Sequence, residues 1–213
     1  MLEAKICGLN DPAGVAAALR GQARYLGFVF FAKSPRNVSP ERAAALAAPA
    51  AGRADTVAVT VDPDDEALAI IAATLKPDWI QLHGREDPTR AAAVARYARK
   101  GVIKAIGVAR IEDLAVADRY TTAVAALMFD AKAPEGANLP GGNGAAFDWQ
   151  MLGGLKFARP WFLSGGLTAE NVAEAVRASG AGAVDVSSGV ESAPGVKDPV
   201  RIARFLTATL SHL

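Results

Sequence analysis

The feature that most restricts what this chain can fold into is an alternation running its whole length. Short apolar runs of strand type are each followed by a segment long enough for a helix. The runs fall at residues 4–7, 25–30, 56–61, 79–82, 102–106, 124–129, 161–163 and 183–186, and they read as buried parallel strands. The helix starts share one grammar: Asp11-Pro12, Ser39-Pro40, Asp62-Pro63, Asp87-Pro88 and Asp198-Pro199 each set a capping side chain before a first-turn proline. Asp148 and Thr168 supply two further caps, with Phe147 and Leu152, and Leu167 and Val172, at the apolar staple positions. Such alternation predicts an α/β fold, a parallel sheet covered by helices.

Two architectures satisfy that pattern, an open doubly wound sheet and a closed (β/α)8 barrel. Polar and Gly-rich material gathers after nearly every strand, the helix-to-strand connections are short, and no G-x-G-x-x-G turn follows the first run, which favours the barrel. A chain of 213 residues, about half of them apolar, builds one substantial core. No linker interrupts it, so residues 1–213 are expected to form one domain. In the helix expected over 168–179, Val172, Ala175, Val176 and Ser179 share a face, while the Ala-rich stretches 43–48 and 91–98 read as close-packing helices.

Charge and cysteine content narrow the business of the chain. The formal net charge is +1 with both signs interspersed, so there is no basic stripe for nucleic acid, and no apolar run approaches membrane-spanning length. Cys7 is the one cysteine, which excludes an intramolecular disulfide. The N-terminus lacks the apolar core of a secretory signal, and a cytoplasmic location is expected. His83 and His212 are the only histidines and no carboxylates cluster at ligand spacing, so no metal site is expected. The exposed halves of the Ala-rich helices suit monomer and homodimer alike.

The chemistry-bearing residues stand at strand ends. Ser164-Gly165-Gly166 and Ser187-Ser188-Gly189 follow the last two strands, where a barrel holds phosphate on backbone N–H groups. In Lys5-Ile6-Cys7 the period of two puts Lys5 and Cys7 opposite Ile6. A lone cysteine is by default a small buried hydrophobe, but one at the last turn of a barrel strand is also a candidate base. Asp130 ends the sixth strand, as a solvated loop residue or a proton donor. It precedes a Gly/Pro/Asn-rich loop, 133–146, read as a cover over the site or a passive excursion. Arg36, after the second strand, suits gripping a planar carboxylate through two parallel hydrogen bonds. Gln81 and His83 share a face at the end of the fourth, and His83 reads first as a hydrogen-bonded structural group and second as a catalytic one. A thiol, a carboxylic acid, an arginine and a phosphate grip suit cofactor-free proton transfer on a phosphorylated small molecule.

In order along the chain, Lys5-Ile6-Cys7-Gly8, Gly27-Phe28-Val29-Phe30 with Ser34-Pro35-Arg36, Gln81-Leu82-His83-Gly84, Phe129-Asp130 with Lys132, Gly144 ahead of Phe147-Asp148-Trp149, Ser164-Gly165-Gly166-Leu167 and Val184-Asp185-Val186-Ser187-Ser188-Gly189-Val190-Glu191 resemble the phosphoribosylanthranilate isomerase family of tryptophan biosynthesis. The resemblance implies a (β/α)8 barrel without cofactor that catalyses an Amadori rearrangement. It implies Cys7 as general base, Asp130 as general acid and Arg36 on the anthranilate carboxylate or positioning the acid. Asp185 would lie beside anthranilate and ribose, with Gly165, Gly166, Ser187, Ser188 and Gly189 on the phosphate. A cation such as Lys5 or Arg36 would raise the thiolate share of Cys7. Thr60 departs from the pattern, standing where a bulkier apolar residue is expected. Other phosphate-gripping barrels fit less well: the sugar isomerases of histidine biosynthesis want an aspartate where Cys7 stands, pentose-phosphate epimerases want metal-binding histidines, and indoleglycerol-phosphate synthase wants catalytic lysines and a glutamate. A catalytically silent phospho-ligand binder is the alternative from another class.

Overall fold

Hydrogen bonding closes the sheet on itself. The computed structural model describes residues 2–133, 141, 144 and 146–210. Its first eight strands are β1 Glu3–Ile6, β2 Tyr25–Phe30, β3 Asp55–Thr60, β4 Trp79–Leu82, β5 Gly101–Val108, β6 Ala126–Ala131, β7 Trp161–Leu163 and β8 Ala183–Val186. Each pairs in parallel with the next, and β8 returns to β1 with Lys5 opposite Asp185 and Ile6 opposite Val186. The fold is therefore the closed barrel, which leaves no strand edge unpaired.

Side-chain alternation divides the apolar residues into two bodies. Ile6, Leu26, Phe28, Ile80, Leu82, Leu127 and Phe129 point outward beneath the helices, whereas Cys7, Val29, Val57, Val59, Ile103 and Met128 fill the barrel. Full burial of one such aliphatic or aromatic side chain contributes about 1.5–3 kcal/mol. Lys5, fully buried, takes the inner side with Cys7 as the period of two requires.

Among the described residues six α-helices, α1 Pro12–Arg20, α2 Pro40–Ala47, α3 Asp65–Thr74, α4 Pro88–Val94, α5 Val172–Ser179 and α6 Pro199–Leu210, lie outside the strands. Asp11, Ser39 and Asp87 cap α1, α2 and α4 through the N–H groups of Gly14, Arg42 and Arg90, and Asp198 takes that of Val200 before α6. Two caps differ from expectation. Asp64, not Asp62, caps α3 through Ala67. Asp62 adopts a left-handed φ of 46°, and its carboxylate takes the Arg85 N–H at 2.6 Å. Thr168 opens a turn in which its own N–H donates to Asn171 Oδ1, so α5 starts at Val172 behind Asn171.

The Ala-rich stretch after β4 tightens into a 3₁₀ turn at Ala95–Tyr97, and 3₁₀ helices Ile111–Tyr120 and Trp149–Leu152 take the helix positions after β5 and β6. An antiparallel hairpin of β9 Glu191–Ala193 and β10 Val196–Lys197 stands between β8 and α6. The expected cover loop, 133–146, lies outside the described residues except at Ala133, Gly141, Gly144 and Ala146. No helix among the described residues is long and apolar enough to cross a membrane.

Candidate active site

The carboxyl ends of the strands surround a cavity of about 800 Å³, its mouth included, and every residue singled out above as a site candidate lines it: Cys7, Arg36, His83, Asp130, Gly165, Gly166, Asp185, Ser187, Ser188 and Gly189. Cys7 and Asp130 reach it from β1 and β6, separated around the barrel by β7 and β8, which carry the two glycine turns.

Cys7 is backed by a buried ion pair. Lys5 Nζ contacts Asp185 Oδ1 at 2.7 Å, and Asp185 Oδ2 takes the Ser164 hydroxyl at 3.2 Å. Burial works to lower the Lys5 pKa, but the charges of Asp185 and Cys7 outweigh it and the ammonium is held above its ordinary range. For Cys7 the balance goes the other way. Burial pushes the thiol up, Lys5 offsets only part of that, and Asp185 adds to it. Lys5 favours the thiolate, as expected of a nearby cation, but desolvation outweighs it.

Asp130 is buried too. Its Oδ1 accepts from the Ala131 N–H at 2.9 Å, and its Oδ2 lies 3.2 Å from His83 Nε2. His83 Nδ1 in turn lies 3.0 Å from Gln81 Nε2. Of the two readings of Asp130, the solvated loop residue is excluded by its 6% exposure.

The two turns are packed against each other. Gly165 and Gly166 have φ of 90° and 65°, and a Cβ on Gly165 would stand 2.6 Å from Ala131 N. A Cβ on Gly189 would stand 1.9 Å from the Leu167 carbonyl oxygen. Only glycine permits this approach of the turn after β8 to the turn after β7. Ser187 ties the second turn to β1, donating to the Cys7 carbonyl at 3.2 Å.

Arg36 grips a carboxylate through two parallel hydrogen bonds, as its chemistry suggests, but the carboxylate belongs to the protein. Its Nε and Nη2 meet Glu191 Oε1 and Oε2 at 2.7 and 2.8 Å. Lys197 Nζ meets Glu191 Oε1 at 2.7 Å and the Ser187 carbonyl at 2.9 Å. The hairpin thus joins the loop after β2 to the turn after β8.

With that geometry in view, likeness to known proteins decides the lineage. The model of the N-(5'-phosphoribosyl)anthranilate (PRA) isomerase family matches residues 4–208. The chain belongs to this isomerase family. It is 54% identical over 209 residues to the N-(5'-phosphoribosyl)anthranilate isomerase of Caulobacter sp. (strain K31), covering 98% of both chains. The phosphoribosyl anthranilate isomerase of Thermotoga maritima superposes with a TM-score of 0.88 at 34% identity, over 99% of this chain and 100% of the other. A solved isomerase in complex with reduced 1-(o-carboxyphenylamino)-1-deoxyribulose 5-phosphate superposes with a TM-score of 0.85 at 31% identity, over 99% and 100%.

Glu191 and Lys197 gain a part in this isomerase that no local signal announced, although Glu191 closes one of the strings carrying the resemblance. One buried carboxylate serves two cations. Burial works against its ionised form, yet the Arg36 hydrogen bonds and the Lys197 charge outweigh it and hold Glu191 below the ordinary range. Burial in turn pulls Lys197 down. Truncating Glu191 to alanine leaves both cations facing each other, and breaking such a buried pair costs about 3–5 kcal/mol. Urea denaturation near neutral pH is expected to register that loss. Because the folded pKa is depressed, the wild-type advantage is full above the ordinary carboxylate range and fades as pH falls through the lower folded value. Equal midpoints at neutral pH would show the network to be idle.

Proposed function

We propose a division of labour among these residues for the family's reaction, which this isomerase performs: the Amadori rearrangement of N-(5-phosphoribosyl)anthranilate to 1-(2-carboxyphenylamino)-1-deoxyribulose 5-phosphate in tryptophan biosynthesis. Asp130 delivers a proton to the furanose ring oxygen as the C1–O bond breaks. The anilino nitrogen supplies the electron pair, and the resulting iminium makes the C2 proton acidic. Cys7, as thiolate, removes that proton. The iminium made from the substrate is itself the electron sink, so the chemistry calls on no cofactor. The turns at Gly165-Gly166 and Ser187-Ser188-Gly189 hold the phosphate. Asp185 lies beside the ribose and ring, and Arg36, its plane fixed by Glu191, meets the anthranilate carboxylate. All these groups come from one chain, so monomer and homodimer serve equally.

The observation that carries this reading is one cavity lined together by Cys7, Asp130 and both glycine turns. The test is a continuous assay on freshly made substrate, followed by loss of its fluorescence. Turnover is expected, with kcat/KM still rising above about pH 8.5, because burial holds the Cys7 thiol above its ordinary range and kcat/KM reports the free enzyme. Saturable binding of the product with no conversion of substrate would instead make the chain a silent phospho-ligand binder. A profile flat across the alkaline range would remove Cys7 as the titrating base.

A further inference from the structure

The hairpin of β9 and β10 stands outside the alternation of strand and helix, and one of its side chains reaches the turn after β8 from behind. Lys197 is buried, its side chain completely covered. A bulge in the hairpin sets Lys197 directly across from Glu191 while Val196 pairs with Ala193, so the Lys197 and Glu191 side chains leave the hairpin on one face. From there Lys197 Nζ lies 2.7 Å from Glu191 Oε1, 2.9 Å from the Ser187 carbonyl oxygen and 3.3 Å from Ser187 Oγ. Helix α1 leaves room for this side chain at Gly14, where a Cβ would stand 3.3 Å from Lys197 Cβ.

We infer that Lys197 is a positioning residue for the substrate's phosphate: by holding the Ser187 carbonyl behind the turn, it keeps the Ser188 N–H aimed into the cavity. The inference rests on the isomerase reading above, in which this turn takes the phosphate. Ser187 leaves β8 with a ψ of −78°, whereas a parallel strand continues at about +115°. The peptide joining Ser187 to Ser188 is thus turned over by about half a rotation from the strand direction. In a trans peptide the C=O and N–H point opposite ways, and no peptide among the described residues is cis. The carbonyl is directed at Lys197, which does not line the cavity, so the N–H on the other side of the peptide belongs to Ser188, which does. That N–H makes no hydrogen bond among the described residues.

Two donors meet the Ser187 carbonyl, and they are unequal. The Val190 N–H stands at 3.3 Å, whereas the ammonium is both closer and charged, which makes its bond the stronger. The Ser187 side chain is fixed at the same time, its hydroxyl donating to the Cys7 carbonyl at 3.2 Å. Ser187 is therefore held by β1 through its side chain and by the hairpin through its backbone. Removing the ammonium leaves the peptide free to turn back toward the strand direction, which would take the Ser188 N–H off the phosphate. Lys197 also favours the Cys7 thiolate through its charge, so turnover would report two effects at once and binding is the cleaner measure.

The test titrates wild type and Lys197→Met with the reaction product and with the same compound lacking its phosphate, following fluorescence and the Ser188 amide signal of ¹⁵N-labelled protein. In wild type the Ser188 amide proton is expected to move downfield with the phosphorylated compound and not with the other. Lys197→Met is expected to bind the phosphorylated compound at least about tenfold more weakly, the loss of one charge-assisted hydrogen bond, with the Ser188 response reduced and affinity for the dephosphorylated compound unchanged. Lys197→Gln, polar but shorter, is expected to show the same split to a smaller extent, and it stands in if Lys197→Met does not fold. Undiminished affinity for the phosphorylated compound overturns the inference. So does equal weakening toward both compounds, the mark of a loosened pocket, and so does weaker binding with the Ser188 response intact, the mark of a distant charge. A wild type that binds with this preference and this Ser188 response but converts no substrate would sink the isomerase reading while upholding the role of Lys197.

Discussion

Replacement of Cys7 by serine is expected to lower kcat by about a hundred- to ten-thousand-fold, the range a positioned base contributes, with little change in stability. The side chain sits inside the barrel beside Lys5, Gly27 and Val29, and serine is nearly its equal in shape. A serine hydroxyl in the same buried place does not ionise near neutral pH, whereas the thiol, although burial pushes it up, is intrinsically more acidic and has the Lys5 charge favouring its thiolate. The ion pair of Lys5 with Asp185 does not need Cys7, so the thermal midpoint is expected to stay within a few degrees of wild type. Affinity for the product, measured by fluorescence titration, is expected to hold, because the phosphate turns are untouched. Turnover close to wild type would defeat Cys7 as the base, and loss of product binding along with turnover would show a pocket that had merely collapsed.

How far the sequence speaks depends on the range of the interaction. Strand positions, and the side of the sheet each residue faces, are set by neighbours one or two residues away, so Lys5 and Cys7 on the inner side and Asp130 at the end of β6 were legible. The barrel ends were legible too, because glycine turns after consecutive strands are local features. The ion pairs were not. Arg36 and Glu191 are 155 residues apart, and nothing in either neighbourhood says that the arginine's partner is already supplied by the protein. The net direction of the Cys7 shift was not legible for a related reason. The sequence shows a lysine two residues away, but not that the thiol is desolvated enough for burial to prevail. Asp62 was misread as a cap because Asp-Pro and Pro-Asp-Asp overlap at residues 62–65, and the choice between Asp62 and Asp64 was made by a contact with the loop after β4.

Asp130→Asn is the companion experiment, expected to remove about a hundred- to ten-thousand-fold of kcat because an amide has no proton of suitable acidity for the ring oxygen. The surrounding hydrogen bonds separate loss of the acid from loss of packing. In wild type one carboxylate oxygen accepts from the Ala131 N–H and the other faces His83 Nε2. An asparagine can present its oxygen to only one of them, so some stability is lost with the chemistry. Affinity for the product, read by fluorescence titration, is expected to hold, because the phosphate turns are untouched, while kcat falls. Turnover close to wild type would mean that Asp130 matters for its hydrogen bonds alone, and the proton would have to come from elsewhere in the cavity.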